Sequence, residues 1–197
     1  MTDKILQILK SENLVDETND QIIYFGLCRI WNGSIDFLFT VACAALLGDI
    51  AVGIIFELCY GSLRVFAGGY HALNKRNCTY LTYASIILSL LIVFKLNIYT
   101  YIMHMMLLTE MIFIIFKVPV ETKNRPLNQT ERKVYHRYCI YICLAELIFY
   151  IVFILGNAIL FAKTIFIAVS FVIFGILPEL RKSNLFVVNR RKRGIDQ

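Results

Sequence analysis

Residues 140–161 read IYICLAELIFYIVFILGNAILF, and residues 164–180 read TIFIAVSFVIFGILPEL. Each stretch approaches the roughly 20 apolar residues that a helix needs to cross the hydrocarbon layer of a bilayer. Only Ala162 and Lys163 lie between them. The two stretches therefore predict a tight transmembrane hairpin.

Two earlier stretches repeat this pattern. Residues 79–94 read TYLTYASIILSLLIVF, and residues 98–117 read IYTYIMHMMLLTEMIFIIFK. Their length and composition predict a second hairpin. We therefore expect four full transmembrane helices.

The overall composition agrees with a membrane protein. Apolar residues make up 58% of the 197 residues, and the mean hydropathy is +0.66. These values lie outside the range of ordinary soluble domains and predict an all-α integral membrane protein whose main partner is the lipid bilayer. The basic residues follow the membrane borders without interleaved aromatic residues, so no nucleic-acid partner is expected.

The N-terminal third is harder to interpret. Residues 35–66 are too long for one straight span and too short for two, and Gly48-Asp49 divides them. We expect a short pair of helices that enter the membrane and return. Residues 1–34 suit an interfacial segment with a short amphipathic helix, although a frayed terminus fits them equally well.

Orientation follows from the Lys and Arg residues, which accumulate in cytoplasmic loops. If the turns at 95–97 and 162–163 face outward, they hold only Lys95 and Lys163, and the other eighteen of the 20 basic residues lie inside. This asymmetry predicts that both termini and the segment 118–138 are cytoplasmic.

A basic, glycine-rich loop, RVFAGGYHALNKRNC, occupies residues 64–78. Cys78 follows two cations and precedes the predicted helix 79–94, and both features favour the thiolate form of a cysteine. His71 is a candidate general base for this nucleophile, and the first amides of the helix are candidate oxyanion donors. From the residues alone, a packing cysteine and an interface histidine remain the alternative.

A geometric condition applies to this pair. In one continuous helix, positions 71 and 78 would be about 10 Å apart along the axis, beyond hydrogen-bond reach. The chain must therefore bend, and Asn74 and Asn77 suit a turn or a helix N-cap. We expect a cytoplasm-facing catalytic bend over residues 67–78, although a simple re-entrant turn would use the same residues.

Two motifs resemble one known family. The stretch RVFAGGYHA, with a cysteine at position 78, resembles the signature of the accessory gene regulator protein B (AgrB) family, bacterial membrane cysteine endopeptidases that process autoinducing-peptide precursors. Residues 118–137, VPVETKNRPLNQTERKVYHR, resemble the family's cytoplasmic P-V-E-x-K-N-[RK]-P-L segment. Both motifs occur in the family's order, and the resemblance covers nearly the whole chain.

The resemblance implies a role for each matching residue. Cys78 is the nucleophile and His71 its base, while Arg64 and Gly69 match positions associated with activity. No cofactor and no metal are expected. The implied location is the bacterial cell membrane. Leu73 departs from the pattern, because many relatives have Lys there, and this difference bears on substrate preference rather than on the catalytic pair.

The resemblance also implies a partner, a precursor peptide with an amphipathic helix and an acidic C-terminal tail. Lys123 and Arg125 lie in the basic segment 118–138 and are candidate ligands of that tail. As cations on the cytoplasmic side, they also need no function beyond topology. A homodimer is left open, as is the choice between a thiolactone and a lactone product.

These expectations divide one multi-pass membrane domain into consecutive parts. They are the interfacial segment 1–34, the helical pair 35–66, the catalytic loop 67–78, the hairpin 79–117, the basic loop 118–138, the hairpin 139–180 and the basic tail 181–197.

Two glutamates, Glu110 and Glu146, fall inside predicted spans, where ionisable groups are costly unless they have a partner. Each is a candidate third catalytic residue that orients His71. The alternatives are a protonated carboxyl or one that is hydrogen-bonded between helices. In a rival class, a small transporter or channel subunit, the two glutamates would line an ion path, and in a third class the protein is a noncatalytic scaffold.

A possible metal motif occurs near the second hairpin. His136, Cys139 and Cys143 share one predicted helical face. Three ligands without an evident fourth are a weak zinc signal, and no metal site is predicted.

Overall fold

The computed structural model describes residues 20–68, 75–120 and 127–193, together with Ile5. Regular structure in these ranges is helical, apart from one isolated bridge between two residues. The helices are α1 (Asp20–Leu47), α2 (Ile50–Ala67), α3 (Lys75–Lys95), α4 (Thr100–Lys117), α5 (Gln129–Leu155) and α6 (Ile159–Arg193).

All six of these helices are long and apolar enough to cross a membrane. The prediction of an all-α, multi-pass membrane protein is confirmed. The expected short pair over 35–66 is wrong, because α1 has 28 residues and α2 has 18. The prediction began this helix too late, because Arg29 and Asn32 interrupt the apolar stretch before residue 35. The helix nevertheless runs through both residues and begins at Asp20.

The break at Gly48-Asp49 lies where the sequence indicated. Gly48 has a φ of +119°, a backbone conformation that residues other than glycine rarely adopt. The Asp49 carboxylate then accepts a hydrogen bond of 2.8 Å from the amide of Ala51 and caps α2. The chain therefore reverses between two long helices.

Helix α6 is the centre of the bundle. It packs against α2, α3, α4 and α5, whereas α1 lies outside against α2 and α3. Half of the spanning segment of α6 is buried, as expected for a helix that is apolar on all sides. Its fully buried side chains include Ala162, Ile165, Ala168, Val169, Val172 and Ile176.

Small and polar residues join α1 to α2. A Cβ atom on Gly53 would lie 2.7 Å from the Cβ of Ala44, so the two backbones approach as closely as glycine permits. Thr40 is fully buried and donates a hydrogen bond of 2.9 Å to Oε2 of Glu57. Contacts of both kinds associate helices in an apolar solvent.

Polar pairs also join α4 to its neighbours. The hydroxyl of Ser170 on α6 donates to Oε1 of Glu110 at 2.7 Å, so this carboxyl is hydrogen-bonded between helices. Nδ1 of His104 lies 2.7 Å from the hydroxyl of Tyr150 on α5. Glu146 differs: it is buried, and neither carboxyl oxygen has a hydrogen-bond partner among the described residues.

Candidate active site

The two motif segments meet at one backbone bridge. The amide of Val120 donates to the carbonyl of Ala67 at 3.0 Å, and Gly68 pairs with Val120 in parallel orientation. Gly68 has a φ of +80°, and a Cβ atom there would lie 2.6 Å from the Val120 carbonyl oxygen. The contact therefore requires glycine at position 68.

The start of α5 holds both sides of this bridge. The ring of Phe66 packs against Tyr135 and Tyr138, with ring centroids 5.7 and 5.0 Å apart. Nδ1 of His136 lies 2.8 Å from the carbonyl oxygen of Val118. Three nearby side chains of one helix thus fix the end of α2 and the end of α4 beside each other.

The possible zinc motif does not assemble. Cys139 and Cys143 are buried, whereas a ring nitrogen of His136 faces the backbone of Val118. Within the part of the chain that the structure describes, no group of three or more His, Cys, Asp or Glu side chains is arranged to hold a metal ion.

Cys78 lies in a small pocket between α2, α3 and α6. The pocket has a volume of about 90 Å³. Its lining includes Tyr60, Arg64, Cys78, Thr82, Gly175 and Pro178. We expected Cys78 to precede its helix, but α3 begins at Lys75, so Cys78 lies in the first turn. The helix begins earlier because Lys75 and Arg76 have straight side chains that lose little rotamer freedom in a helix.

Arg64 connects this pocket to the bridge. Its Nη1 donates to the carbonyl oxygen of Gly68 at 3.0 Å. A Cβ atom on Gly175 would lie 2.8 Å from the same nitrogen, so glycine on α6 leaves room for the guanidinium. The structure therefore brings Arg64 and Cys78 together in one pocket, and Arg64 connects that pocket to Gly68 at the end of α2.

Gly69, His71, Lys123 and Arg125 lie outside the described residues, and their predicted roles stay predictions. Gly69 and His71 follow Gly68 in the sequence, and Lys123 and Arg125 follow Val120. The two described residues Gly68 and Val120 are bridged to each other.

Sequence analysis missed Tyr60, Gly68 and Gly175. Tyr60 precedes Arg64 by four residues on the same helix, a spacing that places both side chains on one face and was a usable signal. Gly175 is 97 positions after Cys78, and nothing local in the sequence indicates that it faces Arg64. Gly68 lies in the quoted motif, but its contact is with a segment distant in sequence.

Comparison with known families agrees with the motifs. The family model for accessory gene regulator B matches residues 2–176. The chain belongs to the accessory gene regulator B family. No curated protein and no solved structure matches it. Family membership associates this multi-pass membrane protein with the processing of quorum-sensing peptides.

Proposed function

We propose that the protein is a membrane cysteine endopeptidase that removes the acidic C-terminal tail of a quorum-sensing precursor peptide and promotes cyclisation of the remainder. One observation carries this proposal. The two signature segments are about 50 residues apart in the sequence, yet they meet at the bridge between Gly68 and Val120. Arg64 links that bridge to the pocket that contains Cys78.

The chemistry begins at the Cys78 sulfur. His71 removes the thiol proton, and the thiolate attacks the carbonyl carbon that precedes the acidic tail. The C–N bond then breaks, and His71 returns the proton to the leaving amine. The retained peptide is now joined to Cys78 through a thioester.

The oxyanion formed during attack needs hydrogen-bond donors. Amides from Thr79 onward lie inside α3 and are used by the helix, because α3 begins at Lys75. We assign this role instead to Arg64 and Tyr60, whose side chains line the Cys78 pocket. A guanidinium has five N–H donors, so Arg64 can keep its bond to Gly68 and still donate to the oxyanion.

Cyclisation uses the energy of the thioester. A thiol or hydroxyl of the retained peptide attacks the thioester carbonyl, which forms a thiolactone or a lactone and releases the Cys78 thiol. Lys123 and Arg125 hold the acidic tail during cleavage by charge complementarity. Their segment leaves from Val120, next to the start of the segment that contains His71.

The cleavage site is on the cytoplasmic side in this proposal. If all six helices cross the membrane, the start of α1, the end of α6 and the Gly68–Val120 bridge lie on the same face. The distribution of Lys and Arg supports the cytoplasmic side for this face. Family membership favours the enzyme over a transporter, a channel subunit or a scaffold.

The test is cleavage of the cognate precursor by purified variants in liposomes. Cys78→Ala and His71→Ala should each abolish cleavage while leaving membrane insertion intact. Cys43→Ala is the matched control, because Cys43 is a half-buried thiol on α1 that does not line the Cys78 pocket. Cleavage by Cys78→Ala at a rate near that of the wild type would reject the proposal.

A further inference from the structure

A second cavity, of about 290 Å³, lies between α2, α5 and α6. It shares two helices with the Cys78 pocket but none of its lining residues. Two side chains of its rim, Leu58 and Phe149, are 61% and 58% exposed on the outer surface of the bundle. The cavity therefore opens sideways, toward the hydrocarbon that surrounds the spanning helices.

The wall of this cavity contains the buried carboxyl group of Glu146. Glu146 is 4% exposed, and neither of its oxygens has a hydrogen-bond partner among the described residues. Glu110, by contrast, accepts a hydrogen bond from Ser170. A buried carboxyl in an apolar solvent is costly unless a charge or a donor compensates it, and no described residue donates a hydrogen bond to Glu146.

The other lining residues are apolar or aromatic, apart from Cys59 and from Ser62, whose hydroxyl donates to the Cys59 carbonyl. Phe149 and Phe153 are one turn apart on α5, and Ile55 and Ile165 line the cavity from α2 and α6. Aromatic faces attract cations, and apolar walls favour aliphatic or aromatic substituents. Small-molecule sites begin at roughly 300 Å³, whereas a helix with its side chains is about 10 Å wide, so the space suits a small molecule and not a peptide helix.

We propose that this cavity, here called the Glu146 cavity, binds a small hydrophobic organic cation that enters from the membrane. The positive charge of the ligand compensates the negative charge of the Glu146 carboxylate. Phe149 and Phe153 contact the positive centre of the ligand or its substituents. Glu146 lines the cavity, but both of its carboxyl oxygens are buried, so binding requires its side chain to rotate toward the ligand. Neutral lipid chains carry no group that compensates this carboxyl. The proposal does not depend on the peptidase function.

The experiment measures binding of tetraphenylphosphonium to the full chain in phosphatidylcholine nanodiscs by equilibrium dialysis, with empty nanodiscs subtracted. The wild type should show one saturable site, and Glu146→Gln should bind at least about tenfold more weakly, as expected on loss of a buried charge pair. Glu110→Gln is the matched control and should bind like the wild type. Cys78→Ala should also bind like the wild type, which separates this site from the peptidase site.

A second variant covers a failure of Glu146→Gln to fold. Phe149→Leu combined with Phe153→Leu keeps the walls apolar, leaves Glu146 in place and should weaken binding severalfold. The proposal is overturned if the wild type shows no saturable binding. It is also overturned if a folded Glu146→Gln variant binds like the wild type. Where that variant does not fold, the proposal is overturned if the double variant binds like the wild type.

Discussion

At the scale of single residues, glycines determine the geometry around Cys78. Gly68 allows the backbone of Val120 to approach, and Gly175 leaves space for the guanidinium of Arg64. The family resemblance pointed to Gly69, and the structure adds these two glycines, one of them next to Gly69 in the sequence. Each acts by lacking a side chain, so neither position tolerates a substitution without movement of its neighbour.

Gly68→Ala should reduce the rate of precursor cleavage at least tenfold, because small displacements of catalytic groups cost rate factors of this order or more. An added Cβ would meet the Val120 carbonyl at 2.6 Å in a backbone conformation with a φ of +80°. Cleavage rates would be compared at equal membrane levels of protein. Gly26→Ala is the control, because nothing lies within 4 Å of a Cβ there. Unchanged cleavage by Gly68→Ala would show that the bridge does not serve the site.

At the scale of helices, the apolar runs after residue 78 were sufficient to predict spans. The run at 164–180 became most of the apolar part of α6, and the break at Gly48-Asp49 is present. The start of α1 was missed because Arg29 and Asn32 interrupt the apolar run. Their apolar neighbours Ile30 and Trp31 are exposed on the outside of the bundle. Contacts between distant helices, such as Ser170 with Glu110, leave no local pattern and could not be predicted.

The α1–α2 contact should be sensitive to side-chain volume at Gly53. Gly53→Leu should lower the free energy of unfolding of the detergent-solubilised protein by about 1–3 kcal/mol, the amount typical of overpacking. The reason is that even an added Cβ at Gly53 would lie 2.7 Å from the Cβ of Ala44. Gly33→Leu on α1 is the control, since a Cβ at Gly33 has nothing within 4 Å. Equal stability of the two variants would contradict the packing described for α1.

The basic segment gives a prediction about substrate capture. Reversing Lys123 and Arg125 to Glu should slow cleavage of an acidic-tailed precursor far more than that of a neutral-tailed one, because only the acidic tail loses an attractive partner. Rates with both precursors would be measured in the same liposomes. Equal slowing would indicate that the segment supports folding and not tail binding.

At the scale of the whole molecule, charge and helix number point to the same orientation. Eighteen of the 20 basic residues lie on one side if the turns near Lys95 and Lys163 face outward. Six crossings then return the chain to its starting side. The sidedness predicted from the sequence stays a prediction, and the different number of spans leaves it unchanged, because two added crossings before residue 67 do not change which side the later loops occupy.

Cysteine labelling tests the orientation. In a variant whose six native cysteines are replaced by alanine, Asn97→Cys should react with a membrane-impermeant maleimide in intact cells, whereas Thr130→Cys should react only after lysis. Residues 97 and 130 are exposed at opposite ends of the helices. Labelling of Thr130→Cys from outside would reverse the topology and remove the cytoplasmic cleavage site.

The central claim is that Cys78 forms a thioester with the retained part of the precursor. The most direct measurement is the intact mass of the protein after a reaction with precursor is quenched in acid. The wild type should gain the mass of the retained peptide, and neutral hydroxylamine should remove it; Cys43→Ala should behave in the same way. Cys78→Ala should show no adduct and no cleavage. Cleavage of the precursor by Cys78→Ala, or a thioester found at another cysteine, would contradict the claim.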